Sequence, residues 1–555
     1  MDDYRRDFIK LSVVAATSLV IGGCGNNSEN GDILLDTMMV TLYPDDSMVE
    51  YDADHIILEF NKSIDSQTLN GNIYLSDKTG SLVDMHTVML DPEDPSYQRV
   101  LINLNDDFHL NESWKYTIVV TNKVKSTSGN ALPAPVSLRV STTSKHPFEA
   151  TESGEVQRTK IVVISDLHMN EQRGFNDGYS LFTENGTLLE EFLEYVRTSD
   201  QIKELVVLGD MMDMWVIPMA YHTFHDAVND TKAYFHSVAE AAVNKGVVDK
   251  INEIAEEGNI RFSYLPGNHD MLFTKEIFDS IFPKGHWQGG APGTGTYSPA
   301  SDTAVTMEHG HNYDLFNAPD SVTTSGSLLP PGYFVTRVYA TGNLKSTEKL
   351  NIKPQSTEGV GPELIYATAW DLAVASINIP SFDPSKSQIY THIDGYTQLY
   401  SSNDARDIYT QTVGSDWKER QKMNGVPVPN SVIVGILNGS GKFFWFGTLE
   451  YSAIVQYFNP KGSKTNIVVF GHTHQAMLIK NSATLENIYA NSGTWIDNQY
   501  LNDGALTGTC VILNTSASSG SDLDNVTLYQ AVKDDSGKVD LKKIDEKNLD
   551  TTQKS

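Results

Sequence analysis

Five times in this sequence, a short apolar run leads directly into residue types that bind metal ions. Ile161-Val162-Val163-Ile164 runs into Ser165-Asp166-Leu167-His168, and Leu205-Val206-Val207-Leu208 into Gly209-Asp210-Met211-Met212-Asp213. Phe262-Ser263-Tyr264-Leu265 is followed by Pro266-Gly267-Asn268-His269-Asp270. Ala304-Val305-Thr306-Met307 precedes Glu308-His309-Gly310-His311, and Ile467-Val468-Val469-Phe470 precedes Gly471-His472-Thr473-His474. Such runs, bounded by Gly and polar residues, read as strands buried on both faces. Helical stretches over Thr187–Arg197 and Lys232–Glu257 alternate with them, which is α/β organisation. In sheets covered by helices, the loops after strands gather at one edge and form a crevice. Asp, Asn and His delivered there suit Zn, Mn or Fe ions. Asp166 and His168, like His472 and His474, stand two apart, and in extended chain such side chains share a face.

The charge balance narrows the partners. Lys and Arg number 41 against 71 Asp and Glu, a net charge of -30. General nucleic-acid binding needs a basic footprint, so no nucleic-acid partner is expected. A phosphate substrate is still allowed, because bound metal ions dominate the field of their own site. The cysteines, Cys24 and Cys510, are too few for a disulfide framework.

Residues 35–145 alternate polar and apolar positions in short segments, as in His55-Ile56-Ile57-Leu58-Glu59-Phe60 and Tyr116-Thr117-Ile118-Val119-Val120. Turn-formers such as Pro44-Asp45-Asp46 and Ser128-Gly129-Asn130 separate them, the pattern of a small β-sandwich. The stretch from Leu58 to Asp65, with Val124-Lys125-Ser126-Thr127-Ser128-Gly129-Asn130-Ala131-Leu132, resembles the Ig-like modules of bacterial surface proteins. No cluster in it suggests chemistry, and a spacer role is expected. Residues 146–158 read as a linker, and 534–555, acidic and lysine-rich, as a solvated tail after a last strand near Val526–Val532.

Taken in order, the five strand-end motifs resemble those of the calcineurin-like metallophosphoesterases. The resemblance implies an α/β domain over 159–533, an αββα sandwich, placed after the small all-β Ig-like sandwich. It also implies two divalent metal ions (Zn, Mn or Fe) and a small phosphate-ester substrate. Carried over motif by motif, Asp166, His168 and His474 would hold one ion, and Asn268, His309 and His472 the other. Asp210 would bridge both. His269 would act as general acid, oriented by Asp270, while a metal-activated hydroxide attacks phosphorus. Asp213 either orients ligands or caps backbone; His311 either reaches substrate or packs; Asn491 reads as support behind the ligands. An insertion at about 312–465 contributes partly to the core and partly to a cap that sets substrate choice. Gly209-Asp210-Met211-Met212-Asp213-Met214-Trp215 also resembles the UDP-diacylglucosamine pyrophosphohydrolase branch, a reaction on cytoplasmic precursors.

The N-terminus carries an address. A charged segment and an apolar run from Leu11 to Ile21 end in Leu19-Val20-Ile21-Gly22-Gly23-Cys24, which resembles a bacterial lipobox. Tyr4-Arg5-Arg6-Asp7-Phe8-Ile9-Lys10 resembles a twin-arginine export signal. The expectation is a signal peptide over 1–24, lipidation at Cys24, a linker over 25–34, and a membrane-anchored protein in the periplasm or at the cell surface. The competing reading is a binding or adhesion lipoprotein with an inert phosphoesterase-like domain.

Overall fold

The computed structural model describes residues 37–43, 48–77, 80–83, 86–104, 110–143, 146, 158–224, 230–290, 293–344, 367, 370–371, 374, 382–426, 446–481, 487–501, 504–520, 523–534 and 536–550. The expected signal peptide, Cys24 and the linker after it lie outside the described residues. Among the described residues, no helix is long and apolar enough to cross a membrane. The chain divides into two compact units.

The first unit is all-β. One four-stranded sheet runs in the order Val40–Tyr43, His55–Phe60, Arg99–Leu104, His86–Leu90; the other runs Met48–Val49, Val136–Thr142, Lys115–Val120, Ile73–Asp77. Alternation fixes which side chains face inward. Ile56, Leu58 and Phe60 are buried from one strand, Val100, Ile102 and Leu104 from its neighbour, and Tyr116, Ile118 and Val120 from the other sheet.

The second unit is built on two sheets. The larger has seven strands in the order His286–Trp287, Arg261–Leu265, Ile202–Leu208, Lys160–Ile164, Thr509–Asn514, Leu523–Lys533, Val539–Asp550. Its first four strands are parallel and its last three antiparallel. The smaller sheet runs Val305–Met307, Ile467–Phe470, Asn487–Asn491, Met477–Asn481. Ile161, Val163, Val206 and Leu208 share one core with Val305, Met307, Ile467 and Val469, so the sheets pack face to face. The alternate residues, Val162, Ile164, Leu205 and Val207, pack against Leu189, Phe192, Val196, Val247 and Ile251 from helices Gly186–Thr198 and Ala242–Glu257. Behind the smaller sheet, Val468 and Phe470 meet Leu449, Ala453 and Phe458. These layers are the expected αββα sandwich, with the motif loops distributed over the ends of two facing sheets instead of one edge.

Two expectations need correction. Residues 539–550 are no tail. Val539–Asp550 pairs along its length with Leu523–Lys533, burying Val539, Leu541 and Leu549 while its lysines face out, a charged edge that blocks further pairing. The α/β unit therefore extends past 533. Lys232–Glu257 is not one helix but two, Thr231–Ala239 and Ala242–Glu257, because Ala241 adopts an extended conformation (ψ 138°). The described part of the insertion joins the core, as expected of one part of it: Leu329, Tyr333, Phe334, Tyr396 and Tyr409 belong to the same apolar cluster as the helices over the large sheet. Residues 345–366 and 427–445, where a cap was also expected, lie outside the described residues.

Candidate metal centre

All seven expected ligands come together. Asp166, His168 and His474 place one donor atom each within 4.8 Å of one another, and so do Asp210, His309 and His472. Asn268 Oδ1 joins the second group, 3.2 Å from His309 Nε2. Asp210 links the two groups, since its Oδ2 lies 3.1 Å from His309 Nε2 and 3.8 Å from His168 Nε2.

The backbone at these positions is unusual. Asp166 (φ 55°), His168 (52°), Asp210 (51°), His472 (72°) and His474 (57°) all adopt left-handed conformations. The paired ligands therefore do not converge through extended chain, as spacing alone suggests. Each motif turns sharply after its strand, at a cost of order 1–3 kcal/mol per residue, and the surrounding fold holds it there. Glycines make room for the crowding that results. A Cβ on Gly267 would lie 2.2 Å from Asp210 Oδ1, and one on Gly209 2.5 Å from His309 Nδ1.

Tautomers show which atoms face inward. His309 Nδ1 lies 2.7 Å from the Leu208 carbonyl, which can only accept, so Nδ1 carries the proton and Nε2 presents its lone pair to Asp210 and Asn268. His168 Nδ1 likewise donates to Asp213 Oδ2 at 2.6 Å and turns Nε2 toward His474 Nε2, 2.9 Å away. Asp166 Oδ1 is fully buried without a hydrogen-bond partner, 3.3 Å from His474 Nε2. Acceptors thus face acceptors, an arrangement that calls for cations, and the donor set fits divalent ions. Where no ion takes up these lone pairs, the same field draws a proton to the rings in its place. Burial opposes the charged form of His309, yet Asp210 and Asp166 raise it to about 9. Burial opposes it at His168 too, and Asp166 and Asp213 still raise it well above the ordinary range. Burial alone would raise Asp210, but the His309 and His269 imidazoles hold it well below the usual carboxylate range.

The partner of His269 departs from expectation. His269 Nδ1 bonds Asp213 Oδ2 at 2.8 Å, not Asp270. Asp270 instead accepts from the backbone N–H of Met211 at 2.8 Å and of Gly267 at 2.6 Å, and from Tyr264 Oη at 2.5 Å. It ties together two ligand-bearing loops, and burial pushes it up to about 6. Sequence adjacency favoured Asp270 because it follows His269, but folding brings Asp213 across. Asp213 contacts both His168 and His269 through Oδ2, and its Oδ1 also caps the N–H groups of Trp215 (2.7 Å) and Val216 (2.8 Å). The Trp215 ring lies 4.6 Å from that of His269.

His311 is buried with Nε2 bonded to the Gly293 carbonyl at 2.6 Å and Nδ1 unpartnered, 5.3 Å between its ring and that of His309. Burial, with His309 and His472 beside it, lowers its pKa well below the usual value. Asn491 supports the last motif from behind, donating to the Gly471 carbonyl at 2.6 Å and accepting from Gly493 N at 3.0 Å. Sequence reasoning missed Asp314, whose Oδ2 lies 3.1 Å from His472 Nε2. Cys510 is buried within a strand of the large sheet as a free thiol.

Family models agree with this architecture. The chain carries a bacterial Ig-like domain over residues 37–143, followed by a calcineurin-like phosphoesterase domain matched over 159–350. Such Ig-like domains are typical of bacterial surface or exported proteins. His472 and His474 lie beyond the matched residues, and the geometry ties them to the earlier motifs. Among solved structures, the chain is similar to the N-terminal part of the bacterial S-layer protein SbsC, at 16% identity over 19% of this chain and 24% of that one (TM-score 0.16). It is also similar to CopC from Methylosinus trichosporium OB3b, at 14% identity over 20% of this chain and 97% of that one (TM-score 0.15). A third likeness is to Chaetomium thermophilum Vps29, at 8% identity over 71% of this chain and 98% of that one (TM-score 0.24). The chain thus spans about a quarter of the length of the SbsC fragment. No curated protein matches it.

Proposed function

We propose that this protein is an exported, lipid-anchored hydrolase that cleaves phosphate ester bonds with two divalent metal ions. The observation that carries the reading is the facing of acceptors across two triads joined by Asp210. Asp166, His168 and His474 would hold one ion, and Asn268, His309 and His472 the other, with Asp210 shared. When bound, the ions neutralise phosphoryl charge and acidify water at neutral pH. His269 sits beside the pair, only partly buried, and donates a proton to the leaving oxygen through Nε2, while Asp213 fixes its ring by Nδ1. An inert domain would have no need of the complete ligand set and of Asp213 and Leu208 behind it.

The decisive assay uses the purified full chain. Elemental analysis measures bound metal, and chromogenic mono- and diesters with Mn²⁺ or Zn²⁺ measure turnover. Absence of both metal and hydrolysis overturns the enzyme reading and favours the adhesion alternative. Palmitate labelling tests the anchor: equal labelling of a Cys24→Ala variant removes it. A panel of nucleotides, sugar phosphates and phospholipid diesters would separate a general phosphoesterase from a UDP-diacylglucosamine-type pyrophosphohydrolase.

A further inference from the structure

Asp314 lies outside every motif, at the start of the insertion, yet it reaches the metal centre. Its buried carboxylate places Oδ2 3.1 Å from His472 Nε2. Oδ1 accepts from Phe316 N at 2.9 Å, and Asn317 Nδ2 donates to Oδ2, so the carboxylate is fixed within its own loop. That loop is held in turn by the C-terminal end of helix Ser402–Met423. Arg420, buried, donates through Nε to the Pro319 carbonyl at 3.1 Å, through Nη1 to Leu315 at 3.2 Å and through Nη2 to Ala318. Gln421 Nε2 donates to the Asn312 carbonyl at 2.8 Å, and Asn424 Nδ2 to Pro319 at 3.0 Å. The helix thus grips the backbone on both sides of Asp314, and Asp314 in turn bonds a histidine of the cage.

We propose that Asp314 is a positioning residue of the second metal site, and that the insertion, acting through Arg420, completes that site. The inference rests on the reading of His472 as a ligand. A carboxylate cannot donate, so His472 Nε2–H is the donor, and in that tautomer Nδ1 is the ring nitrogen able to ligate the ion. His168 and His309 follow the same rule: Asp213 and the Leu208 carbonyl hold the nitrogen that faces away from the cage. Such partners fix ring orientation and tautomer and raise basicity, and their loss typically lowers metal affinity about 10–100-fold. The two triads are then supported from different places. Asp213, behind the first, comes from a motif loop; Asp314, behind the second, comes from the insertion.

The test is a Co²⁺ titration of the metal-free full chain, followed by visible absorption and calorimetry. Wild type is expected to take up two equivalents. Asp314→Ala is expected to keep the first at unchanged affinity and to bind the second about 10–100-fold more weakly, with altered absorption bands for that ion only. Asp314→Asn, which retains an accepting oxygen, is expected to fall between. Arg420→Gln should repeat the selective loss from the far side of the loop, and it decides the matter if the Asp314 variants do not fold. Two equivalents bound with wild-type affinity by a folded Asp314→Ala, or equal weakening of both ions, overturns the proposal. If wild type itself takes up no cobalt, the ligand reading of His472 falls first.

Discussion

Asp213→Asn is the most informative single change in the centre. One oxygen of Asp213 holds His168 Nδ1 at 2.6 Å and His269 Nδ1 at 2.8 Å, so one carboxylate serves both a candidate ligand and the candidate acid. Asparagine keeps the shape and removes the charge. A hydrogen bond to a charged group contributes about 1.5–3 kcal/mol and a neutral one about 0.5–1.5 kcal/mol, so each bond loses roughly 1–2 kcal/mol. Two such bonds give about 2–4 kcal/mol, or roughly 30- to 1,000-fold in kcat/KM. The assay is kcat/KM on a chromogenic phosphoester, with metal content measured on the same samples. The loss is expected to divide between a weaker first metal and a slower chemical step, and in an Asp213→Asn/His269→Ala double variant the two losses should not add. Asp270→Asn is the control. Its carboxylate touches backbone N–H groups and Tyr264, not His269, so it should lower thermal stability far more than turnover per folded molecule. If Asp213→Asn stays within threefold of wild type with full metal content, or if Asp270→Asn is the more damaging to turnover, the assignment of the orienting carboxylate is wrong.

Three other changes probe separate parts of the reasoning. His269→Ala should retain both metals and lose about 10²–10⁴-fold in rate with poor leaving groups; loss of metal would make His269 a ligand instead. Gly267→Ala places a methyl group 2.2 Å from Asp210 Oδ1 and should lower the melting temperature and weaken metal binding together, as read by thermal unfolding with and without Mn²⁺. Glu308, buried under Tyr313 and Tyr457, has its pKa pushed from 4.5 to about 6 by burial. The folded state therefore holds that proton more tightly than the unfolded chain, and stability falls by about 2 kcal/mol as pH rises from about 4.5 through 6. In chelator, Glu308→Gln should gain on wild type by about that amount over this range in denaturant unfolding, and a constant difference would refute the burial argument.

The sequence disclosed the strands and ligand identities because both are local signals. Ile161–Ile164 and Ile467–Phe470 are apolar on both faces, and a buried sheet is the economical home for such runs. What it hid was relational. His269 and Asp270 are neighbours in sequence, but the carboxylate that reaches the imidazole comes from Asp213 in another loop. Asp314 bonds a histidine 158 positions away and has no pattern of its own. The strand Val539–Asp550 was concealed by its lysines, which mimic a solvated tail although Val539 and Leu541 are buried. The left-handed backbone at five ligands was hidden as well, since Asp and His carry no requirement for it; only the packing imposes it.

The strand order of the large sheet also orders events during synthesis. Lys160–Ile164 lies between Ile202–Leu208, made soon after it, and Thr509–Asn514, made roughly 350 residues later. At about 5–20 residues per second, that second edge stays uncovered for some 20–70 s. For most of that interval Asp166 and His168 exist without His472 and His474. A ribosome-bound chain therefore holds an apolar strand edge in need of protection, and it cannot yet bring the two candidate triads together. On the proposed function, metal loading belongs to the finished domain, after the smaller sheet has closed over the larger.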